Sequence, residues 1–302
     1  MKILLTGGTG FVGTGVRHEL RALGHDVRVL LRPQSVGKID ARERVEVIVG
    51  DVLDSQACLR ATTDCDAVVH MVGIRRELPQ QGITYEAMHT EATYTVVDAA
   101  RRTGVQRVVY MSSLGTRPDA ASGYHRTKAE AEKIVKESGM RWTIFRPSVI
   151  FGPGDEFHPL IAELVHRPLV PVIDGGKALL QPVAHRNVVG PVARSLTMPE
   201  TQGKTYEIGG PERRAFVDIM YQVARHYGVW PNTVSVSSRF AKPMVRFAQR
   251  FRSFPLTLDE LHMLLEDNVC DPTLFTQTFG VELDTYEDKI LSLLPRIEAL
   301  AA

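Results

Sequence analysis

The sequence predicts an α/β fold, a doubly wound parallel sheet with a smaller C-terminal lobe, and three observations carry that expectation. A short apolar run, Lys2 to Thr6, feeds directly into a glycine-rich turn. Val12, Val16, Leu20 and Leu23 then recur at helical spacing until Gly24 stops the pattern. Further β-rich runs alternate with helical patterns as far as Arg146, and such alternation implies parallel strands covered on both faces.

In chain order the strands are Lys2 to Thr6, Val27 to Leu31, Val45 to Val49, Ala67 to Met71, Arg107 to Met111 and Trp142 to Phe145, with helices around Thr84 to Thr103 and Tyr124 to Ser138. Beyond Arg146 the alternation breaks. Pro147, Pro153, Pro159, Pro168 and Pro171 punctuate shorter segments, and Tyr206 to Ile208 reads as one late strand before Gly209 and Gly210. The expected division is a sheet unit over residues 1–150 and a smaller lobe over 151–302 packed on it, some of whose segments return to the first sheet.

Composition excludes several classes. An apolar content of 44% and a charged content of 24% suit a globular chain. A net charge of +1 gives no global field to draw in nucleic acid, and none is expected as a partner. Cys58, Cys65 and Cys270 form neither an even framework nor a CxxC pair, which argues against disulfides and structural zinc and for a reduced, cytoplasmic setting. The first residues reach glycine before a signal core could form, and no apolar stretch attains the roughly 18 residues of a membrane span. His70, His125, His158 and His185 show no HxH or HExxH grouping, so no metal is expected. Asp155 and Glu156 follow Gly152-Pro153-Gly154 and read as solvated loop charges.

Thr6-Gly7-Gly8-Thr9-Gly10-Phe11-Val12-Gly13 sits between the first strand and the first helix. Without side chains, the backbone there can approach a pyrophosphate at the helix amino terminus, where unpaired N–H groups point outward. This is the signature of a Rossmann-type dinucleotide site, with Gly7, Thr9, Gly10, Phe11, Val12 and Gly13 as contacts. NAD-binding versions end the second strand on an acidic residue, whereas this chain has Leu31-Arg32. A guanidinium suits the 2′-phosphate of NADP(H), so NADP(H) is expected over NAD(H); the simpler alternative is a solvated arginine at a strand end. Asp51, followed by Val52, either accepts from the adenine amino group or caps a loop.

Tyr124 and Lys128 lie four apart in a helical segment, so both emerge on one face. An ammonium beside a phenol favours phenolate and lowers the tyrosine pKa from about 10, which prepares it for proton transfer during hydride chemistry. Ser112 and Ser113, at the end of the fifth strand, can offer a hydroxyl to a reacting carbonyl. Met71-Val72-Gly73 can wall the adenosine ribose.

The ordered set Thr6 to Gly13, Gly50-Asp51, Val109 to Ser113, Tyr124 with Lys128, and Arg146-Pro147-Ser148-Val149-Ile150-Phe151-Gly152-Pro153-Gly154 resembles the short-chain dehydrogenase/reductase superfamily, in its extended and atypical, epimerase/dehydratase-like branch. Gln181-Pro182-Val183, Tyr206 to Pro211 and Leu261 to Pro272 resemble the subgroup of the NADPH-holding complex I alpha-subcomplex subunit nine. The resemblance implies that Ser113 polarises a carbonyl, that Tyr124 is the general acid or base and that Lys128 grips the nicotinamide ribose. Pro147 to Val149 would line the nicotinamide end. Two departures stand out: His89 occupies the place of a common asparagine, which removes the usual water relay, and Asn187 stands where an aspartate is usual.

Three functions follow as expectations. One is an NADP(H)-dependent oxidoreductase acting on a small or apolar carbonyl or alcohol. Another is a non-catalytic, NADPH-holding accessory subunit of a respiratory-type complex. The third, a nucleotide-sugar epimerase or dehydratase, wants a roomier second lobe and a longer loop than the 11 positions from Ser113 to Tyr124. Finally, no acidic residue occurs between Asp218 and Asp259, while Arg239, Lys242, Arg246, Arg250 and Arg252 gather beside Phe240, Met244, Phe247 and Phe251. If helical after Pro243, residues 239–252 either bury their aromatics in the second lobe or form a helix for a membrane surface, at its inner face, or for a partner complex.

Overall fold

The computed structural model describes residues 1–250 and 256–286. The six early strands are β1 (Lys2–Thr6), β2 (Asp26–Leu31), β3 (Glu46–Val49), β4 (Ala67–His70), β5 (Arg107–Met111) and β6 (Arg141–Pro147). With the late strand Lys204–Ile208 they form one seven-stranded sheet, ordered Lys204–Ile208, β6, β5, β4, β1, β2, β3. Every neighbouring pair is parallel. The strand order reverses between β1 and β4, so a crevice opens at their carboxyl ends.

Successive strand residues point to opposite faces, and this sorts the core into two layers. Ile3, Leu5, Val29, Val109 and Phe145 meet Val16 and Leu20 of α1 (Phe11–Ala22), Val188 and Val192 of α6 (His185–Arg194), and Phe275 and Phe279 of α10 (Thr273–Phe279). Leu4, Val68, Val108 and Ile144 meet α2 (Ser55–Thr62), α3 (Ala92–Arg102) and α4 (Gly123–Lys136) on the other side. Strands buried on both faces need continuous apolar runs, which is why β1 and β4 read so clearly in the sequence.

A separate core gathers Ile161 and Val165 of α5 (Phe157–Val165), Ile219 and Val223 of α7 (Phe216–His226), Val172 and Tyr286. Two further helices, α8 (Ser238–Ala248) and α9 (Leu258–Leu264), share a small cluster of Ala241, Val245 and Leu261. Among the described residues, no helix is long and apolar enough to cross a membrane.

Two expectations are corrected. Asp155 is not a solvated loop charge: it is buried and accepts from the backbone N–H groups of Gly152 and His158 and from His158 Nδ1 at 3.0 Å, while His158 Nε2 lies 2.7 Å from the Tyr286 hydroxyl. A carboxylate can be buried there because each of those donors replaces lost water. Glu156 does stay in solvent. The helix in the basic segment starts at Ser238, ahead of Pro243, because the Ser237 hydroxyl accepts from the Arg239 N–H and caps it. Its aromatics do not enter the lobe: Phe240 is 76% exposed and Phe247 62%. Phe251 and Arg252 lie outside the described residues.

Candidate active site

Gly7 leaves β1 in the left-handed region, at φ 74°, and a Cβ there would come within 2.8 Å of the Met71 carbonyl oxygen. A Cβ on Gly13 would stand 2.0 Å from the Gly7 carbonyl oxygen. Only glycines allow this turn, which closes through the Gly10 N–H donating to Gly7 O at 3.1 Å. α1 then begins after Gly10 with no side chain capping its first amides, so Phe11, Val12 and Gly13 head a helix whose positive end is uncovered. The Phe11 ring turns aside, 4.6 Å from the His185 ring. Thr9 sits in the same turn. Behind it the guanidinium of Arg17, almost fully buried, donates to Gly8 O and pairs with Glu43.

Arg32 follows β2, exposed, with no ion-pair partner among the described residues. Asp51, past the end of β3, accepts from the Leu53 N–H at 3.0 Å, and Val52 beside it is buried. Met71 and Val72 continue β4 along the crevice. Gly73 is pressed against the far side of the site, since a Cβ there would be 3.1 Å from Lys128 Nζ and 3.5 Å from His89 Nε2.

Ser113 follows β5, and Tyr124 opens α4. The Ser113 hydroxyl donates to the Leu114 carbonyl at 3.3 Å and lies near enough to the Tyr124 phenol to pull its pKa down. Lys128, one turn on and buried, donates from Nζ to Met111 O at 3.0 Å and lies 5.0 Å over the Tyr110 ring. Burial lowers its pKa to about 8, against the opposing pull of Glu132. The expected lowering of the Tyr124 pKa is not seen. Burial, which disfavours the phenolate, raises it, and the Ser113 hydroxyl and the Arg75 charge only offset part of the rise. Ser112, by contrast, turns towards Thr116 at 3.3 Å. Pro147 ends β6, and Val149 follows it, half-buried.

His89 lies in a π-helical turn, Glu86–Glu91, leading into α3. Its Nε2 accepts from the Ile74 N–H at 3.1 Å, and its Nδ1 is 2.9 Å from Thr127 Oγ1. The Thr127 hydroxyl donates to the Gly123 and Tyr124 carbonyls, so His89 is a neutral imidazole with its proton on Nδ1. Burial and the nearby Lys128 charge push its pKa down to about 2. Thus His89 pins α4 instead of feeding a water relay. Sequence reasoning did not single out Tyr85 or Glu132, and it weighed His70 only as a metal ligand. Tyr85, one turn before His89, meets the Tyr124 ring edge-on at 5.8 Å. His70 bridges Thr6 at 2.6 Å and Thr93 at 3.1 Å, and Thr93 donates to His89 O. Glu132 is buried beneath Lys128, paired with Arg146 at 2.7 Å. The signal for Tyr85 and Glu132 was their four-residue spacing from His89 and Lys128. Asn187, the other departure, is structural here: it donates to Glu282 O at 3.0 Å and accepts from the Asp284 N–H at 2.9 Å.

Comparison with known proteins extends this geometry. Residues 7–156 match the family described as NAD(P)H-binding. The chain is 27% identical over 283 residues to NADH dehydrogenase [ubiquinone] 1 alpha subcomplex subunit 9, mitochondrial, of Arabidopsis thaliana, covering 87% of this chain and 69% of that protein. Over residues 7–156 the chain belongs to that NAD(P)H-binding family. A Caulobacter vibrioides ceramide reductase is 31% identical over 175 residues, spanning 57% of this chain and 53% of its own length. A solved short-chain dehydrogenase/reductase superfamily protein from Agrobacterium tumefaciens with bound NAD superposes with a TM-score of 0.69 at 23% identity, over 97% of this chain and 95% of that one. The dinucleotide-binding reading of the glycine turn is therefore that of the matched family, and the chain spans between about half and 69% of the length of these two curated relatives.

Proposed function

We propose that the chain is an NADP(H)-dependent oxidoreductase acting on a small or apolar carbonyl or alcohol: carbonyl, NADPH and a proton in, alcohol and NADP⁺ out. The observation that carries this reading is the buried Lys128, one turn from Tyr124 on α4, whose Nζ donates to Met111 O at 3.0 Å and so brings that helix against the end of β5 that carries Ser113, at the carboxyl edge where ligands of such sheets bind. The residues fit a dinucleotide, because the cradle from Gly7 to Gly13 is one that a single Cβ would fill.

When bound, NADPH supplies the hydride. The chain's own groups do the rest. The amides from Phe11 to Gly13 hold the diphosphate bridge, with Gly7, Thr9 and Gly10 forming the turn beneath it. Arg32 meets the 2′-phosphate, Asp51 and Val52 border the adenine, and Met71, Val72 and Gly73 wall the ribose. Pro147 and Val149 border the nicotinamide end. Ser113 Oγ polarises the substrate oxygen and Tyr124 Oη gives it a proton. Its raised pKa keeps that proton on the phenol at neutral pH, which suits an acid in the reducing direction. Lys128 grips the ribose and replaces the proton. Tyr85 and His89 exclude water from one side of the phenol, and an apolar substrate is consistent with that wall and with the ceramide reductase similarity.

The test is single-turnover reduction of a panel of apolar ketones with NADPH deuterated at C4. Deuterium in the alcohol product supports the reading. NADPH that binds and is never consumed by any of them would overturn it in favour of the accessory-subunit reading, which the long similarity to a complex I subunit favours.

A further inference from the structure

We propose that α8 is a docking helix for an anionic bilayer surface, a function separate from whatever the dinucleotide site turns over. Its side chains fall into three rows. Ala241 and Val245, four apart, face inward onto Leu261 of α9. Phe240, Met244 and Phe247 recur at spacings of four and three along an outer row and are 76%, 52% and 62% exposed. Arg239, Lys242 and Arg246 form the next row, all exposed, and Arg250 continues it past the helix end.

A globular surface scatters large apolar groups singly, whereas here two phenylalanines and a methionine share one stripe. A stripe of that kind beside a row of Lys and Arg is the pattern of a helix lying in the plane of a membrane interface. The charge balance favours that occupant. Among the described residues none of these four cations forms an ion pair; Asp174, which accepts from the Ser238 N–H, lies near Lys242, and the α9 carboxylates Asp259 and Glu260 are engaged by Gly123 and Arg76. No acidic residue lies between Asp218 and Asp259. A second copy of the chain is a poor occupant, because a twofold contact through the stripe would set one basic row against the other.

The placement also brings the bilayer near the candidate site. α8 packs on α9, whose Asp259 accepts the Gly123 N–H at the amino end of α4 and whose Glu260 pairs with Arg76. The helix thus lies on the flank next to Tyr124.

The experiment is flotation of the full chain with vesicles of phosphatidylcholine alone and with about 30% phosphatidylglycerol, the anionic fraction supplying the surface potential. The expected result is flotation with anionic vesicles only, and release at about 0.5 M salt, where surface attraction is screened. Replacing Phe240→Ser with Met244→Ser should weaken partition by about tenfold or more. Each of Arg239→Gln and Arg246→Gln should weaken it by about fivefold. No flotation with anionic vesicles overturns the proposal, as does equal flotation with neutral ones. So does a wild-type dimer that the Phe240/Met244 variant dissociates, since that assigns the stripe to a second copy. The contrast between the two vesicle types is read on the unmodified chain, so a variant that fails to fold does not blunt the test. NADPH binding measured in parallel separates this outcome from any failure of the oxidoreductase reading.

Discussion

The ammonium of Lys128 donates to the carbonyl of Met111 at 3.0 Å, and this one bond ties the helix that carries Tyr124 to the strand that delivers Ser113. The elements that carry the phenol and the serine hydroxyl are thereby fixed against each other before any ligand arrives, and positioning of that kind can supply much of a rate enhancement. Tyr124→Phe removes only the proton donor and leaves the ring packed against Tyr85 and His89. Turnover should fall by roughly 100-fold or more, while the NADPH Kd stays within about twofold, as steady-state kinetics and calorimetry would read. Unchanged turnover in the variant would remove Tyr124 from the chemistry.

On the proposed reading, Arg32 selects NADPH over NADH. It is exposed at the crevice edge with no ion-pair partner among the described residues, so its charge is available to a phosphate. Charged hydrogen bonds contribute about 1.5 to 3 kcal/mol, so Arg32→Asp should weaken NADPH by roughly 10- to 100-fold and narrow or reverse its lead over NADH. Parallel titrations of both dinucleotides check this, and an unmodified protein that prefers NADH would contradict it.

Gly13→Ala should destroy the dinucleotide site. The new Cβ would meet the Gly7 carbonyl oxygen at 2.0 Å, a backbone atom that cannot move without opening the turn. Overpacking at such a place costs about 3 kcal/mol or more, so both Tm and NADPH binding should drop. Gly37→Ala is the control: a Cβ there would have no neighbour within 4 Å, and its effect should stay within about 0.5 kcal/mol. Equal behaviour of the two variants in thermal melts with NADPH would refute the close-approach argument.

How much of this is legible in the sequence depends on the range of the interaction. The glycine turn, the six early strands and the Tyr124–Lys128 face are local patterns, and the structure contains each of them within a few residues of the sequence reading. The division after Arg146 is harder to read, since the strand Lys204–Ile208 pairs with β6 across 61 positions of chain, Lys204 opposite Thr143. No periodicity announces such a pairing. Asp155 misleads for the same reason, as its burial depends on Tyr286, well over a hundred positions away. The direction of the Tyr124 pKa is hidden because helical spacing shows that two side chains share a face and not how far the phenol is withdrawn from water.

The two buried imidazoles set the acid limit of the fold. Burial lowers His70 from 6.5 to about 3, with the Lys128 charge adding to the effect, and His89 goes to about 2. The unfolded chain takes up both protons below pH 6.5, and the folded chain resists them until far lower. Stability is therefore complete above pH 6.5 and declines as pH falls, by about 1.4 kcal/mol per pH unit for each imidazole. Urea melts between pH 5 and 6.5, a window that lies above most carboxylate titrations, should show that slope. His70→Asn should make it shallower whatever its effect on absolute stability, with His89 and the other histidines lowered by burial, His25, His125 and His185, carrying the remainder. Identical slopes in the two proteins would mean that His70 is already charged in the native state.

Glu132 supplies the complementary case. It is 2% exposed in its side chain and bonded to Arg146 at 2.7 Å and to Lys136 at 3.1 Å. Burial alone raises its pKa, but Arg146, Ser112 and Lys136 outweigh that and hold it below 4.5. The stability it contributes is present above its unfolded pKa and is lost as pH falls through the lower, folded value. Glu132→Ala strands Arg146, half-buried, with only Glu207 at 3.4 Å, and breaking a buried pair costs about 3 to 5 kcal/mol. It also takes away the one charge that raises the Lys128 pKa. Glu132→Gln, which keeps the shape, should unfold less readily than the alanine variant yet share its second effect. In both, the alkaline-side proton release of Lys128, followed by NMR of the Nζ group, should move below about 8. A Lys128 titration that stays in place in both variants would show that Glu132 acts on the fold alone.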